Sequence, residues 1–169
     1  MVRSFDPFIY QNIFHEYELD ITQGEIDLVY MLLKDLSVNN LQHSDSNVKT
    51  SYKDIDILDT PGLSNLKKQI TDILKTHNLR LNNNWGQLYN KDNEHKVHNH
   101  PFSTCSGIIY LDPNEASPTI FYDRDFKTYV HAFKKNQLLL FPSYIPHEVS
   151  RLNSNEKRLV ISFNTDERI

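Results

Sequence analysis

This sequence predicts a mainly β fold: a double sheet of the jelly-roll or cupin kind, supported by two helices on its N-terminal side. Three observations lead there. The 169 residues contain no internal repeat and no Pro/Gly/Ser linker, so 1–169 reads as a single domain, with helical support over roughly 20–80 and a β core over roughly 84–165. Two apolar stripes at helical spacing lie in the first half. From about residue 84 onward, short β-rich runs alternate with turn residues.

The first helix begins at Thr22-Gln23-Gly24-Glu25, which has capping-box spacing. Ile26, Val29, Tyr30, Leu32, Leu33 and Leu36 follow on one face. Residues 40–58 read as loop plus a short strand. The second helix is expected to start at Thr60-Pro61, with Thr60 as cap and Pro61 at the first helical position. Leu63, Leu66, Ile70, Ile73 and Leu74 form its stripe. Strands are expected near 84–90, 95–99, 104–111, 118–123, 127–132, 137–141, 147–152 and 157–164. Asp112-Pro113-Asn114, Asp123-Arg124-Asp125, Lys135-Asn136, Pro142-Ser143 and Asn153-Ser154-Asn155 mark turns between them.

Composition narrows the function. A net charge of −4 argues against a chain-wide nucleic-acid surface. One cysteine, Cys105, excludes an intramolecular disulfide framework and a multi-cysteine metal site. Residues 1–10 lack the apolar core of a signal peptide, and no run approaches 18 apolar residues. A soluble, cytoplasmic chain with no membrane partner is therefore expected.

Histidine is the unusual entry. Of eight, His95, His98 and His100 fall within six residues. On a strand, positions i and i+2 share a side, so His98 and His100 can reach one point, while His95 is out of phase on a regular strand. His147 lies 49 residues after His98, between a Pro-flanked turn and the next strand. Imidazole nitrogen suits Fe, Zn, Cu and Ni, and a site with open positions is catalytic rather than structural. The other reading of an Asn-rich, charged stretch is solvated surface. His15, His43, His77 and His131 show no partner pattern and read as structural or surface.

The last strand adds a second feature. Leu159, Ile161 and Phe163 alternate with Arg158, Val160, Ser162 and Asn164. The first set suits packing under the helices. If the second faces the interior, Arg158 sits in a pocket and needs an anion, and its planar fork matches a carboxylate. An edge strand with Arg158 in solvent is the alternative.

Four blocks now stand in order: His98-Asn99-His100-Pro101, Ser106-Gly107-Ile108-Ile109-Tyr110-Leu111, the Phe141-Pro142-Ser143…His147-Glu148-Val149 stretch, and Lys157-Arg158…Ser162-Phe163-Asn164. Together, over roughly residues 50–165, they resemble the Fe(II)/2-oxoglutarate-dependent oxygenases. More narrowly, they resemble a group with a His-x-His-Pro motif found in bacterial and phage genomes. The resemblance implies a double-stranded β-helix core. It also implies an enzyme, a dioxygenase using Fe(II), 2-oxoglutarate and O2 to oxidise a substrate C–H bond, with hydroxylation as the default outcome.

Carried over, His98 and His147 match the family's two iron-binding histidines. His100 stands where the carboxylate ligand belongs. The resemblance leaves three neutral ligands, a carboxylate from elsewhere such as Asp112 or Asp123, or an open position, and His100 is the favoured third ligand. Arg158, 11 residues after His147, matches the basic residue for the far carboxylate of 2-oxoglutarate, and Ser162 its helper hydroxyl. Tyr110 matches a co-substrate-binding tyrosine of the prolyl-hydroxylase-like branch, with Tyr89 a similar match. Asn164 shares Arg158's parity and is expected to line the pocket. Metal affinity is expected to fall as pH drops toward 6, since the imidazoles must be deprotonated. Loops 112–118 and 123–127 are expected to frame the entrance, and the substrate is a small molecule or a protein side chain. Two other functions fit the same scaffold. One is a cupin-like three-histidine metalloenzyme that does not use 2-oxoglutarate, favoured by His100. The other is a non-catalytic binding module.

Overall fold

The structure is a computed structural model that describes residues 13–36 and 46–168. The expectations for residues 1–10 and for His43 lie outside the described residues.

Strand β1 (His15–Glu18) precedes helix α1 (Gln23–Lys34). The predicted capping box is formed: the Glu25 amide donates to Thr22 Oγ1 at 3.2 Å, and the Thr22 amide donates to Glu25 Oε2 at 2.8 Å. Both satisfy helix-terminal donors that would otherwise lack partners. Then come β2 (Lys49–Thr50), a 3₁₀ turn (Ile57–Asp59) and helix α2 (Ser64–Thr76). Helix α2 starts later than Thr60-Pro61 suggests. Thr60 and Pro61 instead continue the turn, with Thr60 N–H donating to the Ile57 carbonyl and Leu63 N–H to the Thr60 carbonyl. Gly62 follows at φ +98°, a left-handed conformation that interrupts helical geometry. The apolar stripe is as expected, with Leu66, Ile70 and Leu74 buried.

The β region contains β3 (Leu79–Tyr89), β4 (His95–His98), β5 (Cys105–Asp112), β6 (Thr119–Tyr122), β7 (Thr128–Val130), β8 (Gln137–Pro142), β9 (His147–Val149) and β10 (Arg158–Glu167). One sheet runs β1-β8-β5-β10-β3-β2 and the other β4-β9-β6-β7. Every pairing is antiparallel. Strands β3 and β10 run longer than predicted. Thr165, Asp166 and Glu167 pair with Leu81, Arg80 and Leu79 past a register shift at Asn164/Thr165. Cross-strand pairing there overrides the weak strand propensity of Asn82 and Asn83.

Three layers result. The helices cover one face of the six-stranded sheet, where Leu159, Ile161 and Phe163 join Val29, Leu33, Leu66 and Ile70 in one apolar cluster. The other face of that sheet meets the four-stranded sheet, where Tyr89, Tyr110, Phe141 and Val160 pack with Phe121 and Val149. The alternation in β10 therefore divides the strand between two cores, as its residue pattern predicts. Gly107 makes this packing possible, because a Cβ there would lie 2.1 Å from the Phe163 ring. No helix among the described residues is long and apolar enough to cross a membrane.

Candidate metal centre

Strand β4 carries a bulge. His95 pairs with Val149 and His98 with His147, so three steps on one strand match two on the other. The extra residue puts His95 and His98 on the same side, their rings stacked 3.9 Å apart and 11° from parallel. His95 is thus in phase after all. Regular alternation, on which its exclusion rested, is broken by the bulge. His98 and His147 meet as cross-strand neighbours within one sheet, with ring centroids 4.3 Å apart.

His100 arrives by a different route from strand alternation. Strand β4 ends at His98, and His100 belongs to the following turn, anchored by its N–H to the Ser143 carbonyl at 2.9 Å. Its ring lies 5.1 Å from that of His98 and 5.3 Å from that of His147. One nitrogen from each of the three rings lies within 4.8 Å of the other two.

Tautomers follow from the hydrogen bonds. His98 Nδ1 faces the Lys96 carbonyl at 2.8 Å, and His147 Nδ1 faces the Ile145 carbonyl at 3.0 Å. A carbonyl only accepts, so each Nδ1 carries the proton and each lone pair sits on Nε2. Burial, then the neighbouring His98, holds His147 well below the usual imidazole range. The same two causes bring His100 down to about 4. These two imidazoles are therefore neutral without help from high pH. Burial thus opposes protonation of both rings in the metal-free protein.

Arg158 opens β10 at 1% exposure. Its Nη2 donates to Thr119 Oγ1 at 2.9 Å, while Nε and Nη1 have no hydrogen-bond partner among the described residues. The guanidinium lies 4.7 Å from the Tyr89 ring centroid. A buried cation with two unused donors is a costly arrangement that an anion would relieve.

The register explains how these groups meet. Arg158, Val160 and Ser162 pair with Tyr89, Gln87 and Trp85 on β3, so all six share one sheet face. They line an inner cavity of about 30 Å³ together with His95, His98, His100 and His147. An outer cavity of about 230 Å³ adjoins it, sharing Trp85, Gln87, His95, His98 and His100 and adding Val48, Thr50, Tyr52 and Asn99.

Residues 121–164 match a family described as "Putative 2OG-Fe(II) oxygenase". The fold is similar to several solved enzymes. A Trichoplax adhaerens prolyl hydroxylase in complex with a hypoxia-inducible-factor peptide is 16% identical at TM-score 0.68, over 95% of this chain and 86% of that one. A Pseudomonas putida prolyl-4-hydroxylase is 14% identical at TM-score 0.62, over 92% and 93%. HygX from Streptomyces hygroscopicus, with nickel, 2-oxoglutarate and hygromycin B bound, is 13% identical at TM-score 0.65, over 95% and 86%. No curated protein sequence matches the chain. The chain thus shares the fold of these 2OG-Fe(II) oxygenases, and residues 121–164 carry the family match.

The matched segment contains His147 and Arg158, whereas His98 and His100 lie upstream of it. Tyr89 and Ser162 line the inner cavity with Arg158. Tyr110 does not line it. Tyr110 lies behind Arg158, its hydroxyl donating to the same Thr119 Oγ1 at 3.2 Å, and burial pushes that phenol up to about 12. Asn164 is not a lining residue either, because its Oδ1 accepts from Ser106 Oγ at 2.8 Å. Asp112 is exposed, and Asp123 Oδ1 accepts from the amides of Asp125 and Lys127 in its own turn. Neither lines either cavity. Sequence reasoning missed Trp85 and Gln87, although their alternation with Tyr89 is visible once β3 is placed. It also missed Thr119, which no local pattern marks.

Proposed function

We propose that this protein is a 2OG-Fe(II) oxygenase that holds Fe(II) on His98, His100 and His147, binds 2-oxoglutarate against Arg158, and hydroxylates a C–H bond of a substrate held in the outer cavity. One observation carries the reading. Two histidines whose Nδ1 protons are tied to backbone carbonyls converge with a third, and a buried guanidinium with two unused donors lines the same cavity. Backbone anchoring of the distal nitrogen fixes ring orientation and raises ligand basicity, as at known metal sites. The donor set therefore fits a divalent transition metal.

Each side chain has a defined task. His98 and His147 present Nε2 lone pairs, and the Ser143 carbonyl holds His100 in place through its amide. Arg158 directs Nε and Nη1 at the far carboxylate of 2-oxoglutarate. Thr119 orients the guanidinium, with Tyr110 donating to Thr119 from behind. Tyr89 covers one face of Arg158 and excludes water. Ser162 donates to Gln87 Oε1 at 3.0 Å, which holds that amide in the cavity wall. Bound together, Fe(II) and 2-oxoglutarate supply the oxidising chemistry, with 2-oxoglutarate leaving as succinate and CO2 when O2 reacts. Among the described residues, the outer cavity has no Lys, Arg, Asp or Glu in its lining, which suits an uncharged part of the substrate.

The test combines Fe(II) and 2-oxoglutarate under anaerobic conditions and records the visible spectrum, then admits O2 and assays succinate. A charge-transfer band followed by succinate is the expected result. Metal bound without a band supports a three-histidine enzyme of another kind, and no metal binding supports a non-catalytic module.

A further inference from the structure

With His100 as the third ligand, the metal centre contains no protein anion. Among the described residues, none that lines the inner or outer cavity is Asp or Glu. Among the described residues, the only permanently charged side chain lining either cavity is Arg158, a cation with two donors unused. A divalent metal placed on the three histidines would meet three neutral imidazoles and share its cavity with a second positive charge. Burying charge without compensation is unfavourable, because charges in a low-dielectric site interact more strongly than in water.

Resting on the ligand set proposed above, we infer that this centre binds its metal weakly alone and tightly only together with a dianionic 2-oxo acid. Its two negative charges would offset two of the three positive charges carried by the metal and Arg158. Linkage makes the effect reciprocal, so metal and 2-oxoglutarate raise each other's affinity by the same factor. A carboxylate at position 100 would supply one of those charges permanently. It would therefore tighten metal binding alone and weaken the coupling.

Trp85 provides the readout. It is the chain's one tryptophan, it lines both cavities, and its ring centroid lies 6.0 Å from that of His100. Co(II) is titrated into the full-length protein with and without 2-oxoglutarate, following tryptophan fluorescence, for wild type, His100→Asp and His100→Glu, each checked for folding by circular dichroism. In wild type, 2-oxoglutarate is expected to lower the Co(II) Kd by about thirtyfold or more. In at least one folded variant, Co(II) alone should bind about tenfold tighter than in wild type, with a correspondingly smaller coupling factor. Wild-type Co(II) affinity that changes less than about threefold with 2-oxoglutarate overturns the inference but leaves the ligand set standing. So does a coupling factor equal in wild type and the folded variants. Absence of any quenching in wild type, with and without 2-oxoglutarate, removes the ligand set and the inference together.

Discussion

Replacing Arg158 with Met separates binding from folding. The wild-type guanidinium is 1% exposed and makes one hydrogen bond to protein, through Nη2 to Thr119. Its other two nitrogens have no partner among the described residues. Removing a charged partner from a desolvated, hydrogen-bonded ion pair costs about 2–5 kcal/mol. At about 1.4 kcal/mol per factor of ten, 2-oxoglutarate affinity should fall about 30-fold to several-thousandfold. Stability should move differently. A buried cation with unused donors contributes little to the fold, and Met fills similar volume without the desolvation cost, so the ligand-free variant should melt no lower than wild type. The assay is calorimetric titration of 2-oxoglutarate in the presence of Mn(II), paired with thermal melts. At 2-oxoglutarate a hundredfold above the wild-type Kd, wild type should gain about 2.7 kcal/mol. A variant weakened a hundredfold should gain about 0.4 kcal/mol, from the same mass-action relation. Affinity within threefold of wild type would refute the assignment of Arg158. A collapse in ligand-free stability would show instead that the guanidinium is structural.

Three further outcomes are expected. His147→Ala removes a ring that is 4% exposed and anchored to Ile145, and it should abolish Co(II) quenching of Trp85; retention of one equivalent at wild-type affinity places the metal elsewhere. His100 and His147 have lowered folded-state pKa values, so below the ordinary imidazole value of 6.5 the unfolded chain takes up protons that the folded chain does not. Stability measured with a chelator present should therefore be full above pH 6.5 and decline toward pH 4, by up to about 1.4 kcal/mol per pH unit for each histidine, and a flat denaturation profile over that range would contradict the burial argument. Gly107→Ala places a methyl 2.1 Å from the Phe163 ring and should cost about 1–3 kcal/mol by overpacking, visible as a lower urea midpoint.

The sequence by itself determined whatever depends on local spacing. Thr22 and Glu25 are three apart, and that spacing alone makes the capping box. Leu66, Ile70 and Leu74 recur at one helical turn and all are buried. Leu159, Ile161 and Phe163 alternate with Arg158 and Val160, and a pleated strand divides these sets between two faces. Tertiary structure decided everything that depends on register. His98 meets His147 because β4 pairs with β9 at that offset, and His95 joins their side because one residue bulges out of the ladder. His100 is placed by the Ser143 carbonyl, 43 positions away in the chain. Thr119 reaches Arg158 and Tyr110 only because two sheets face each other. The physical reason is common to these cases. A helical or pleated period is a property of consecutive backbone dihedrals, so a short segment carries it alone. The register between distant strands is a property of paired edges, and a shift of one residue reverses every side chain.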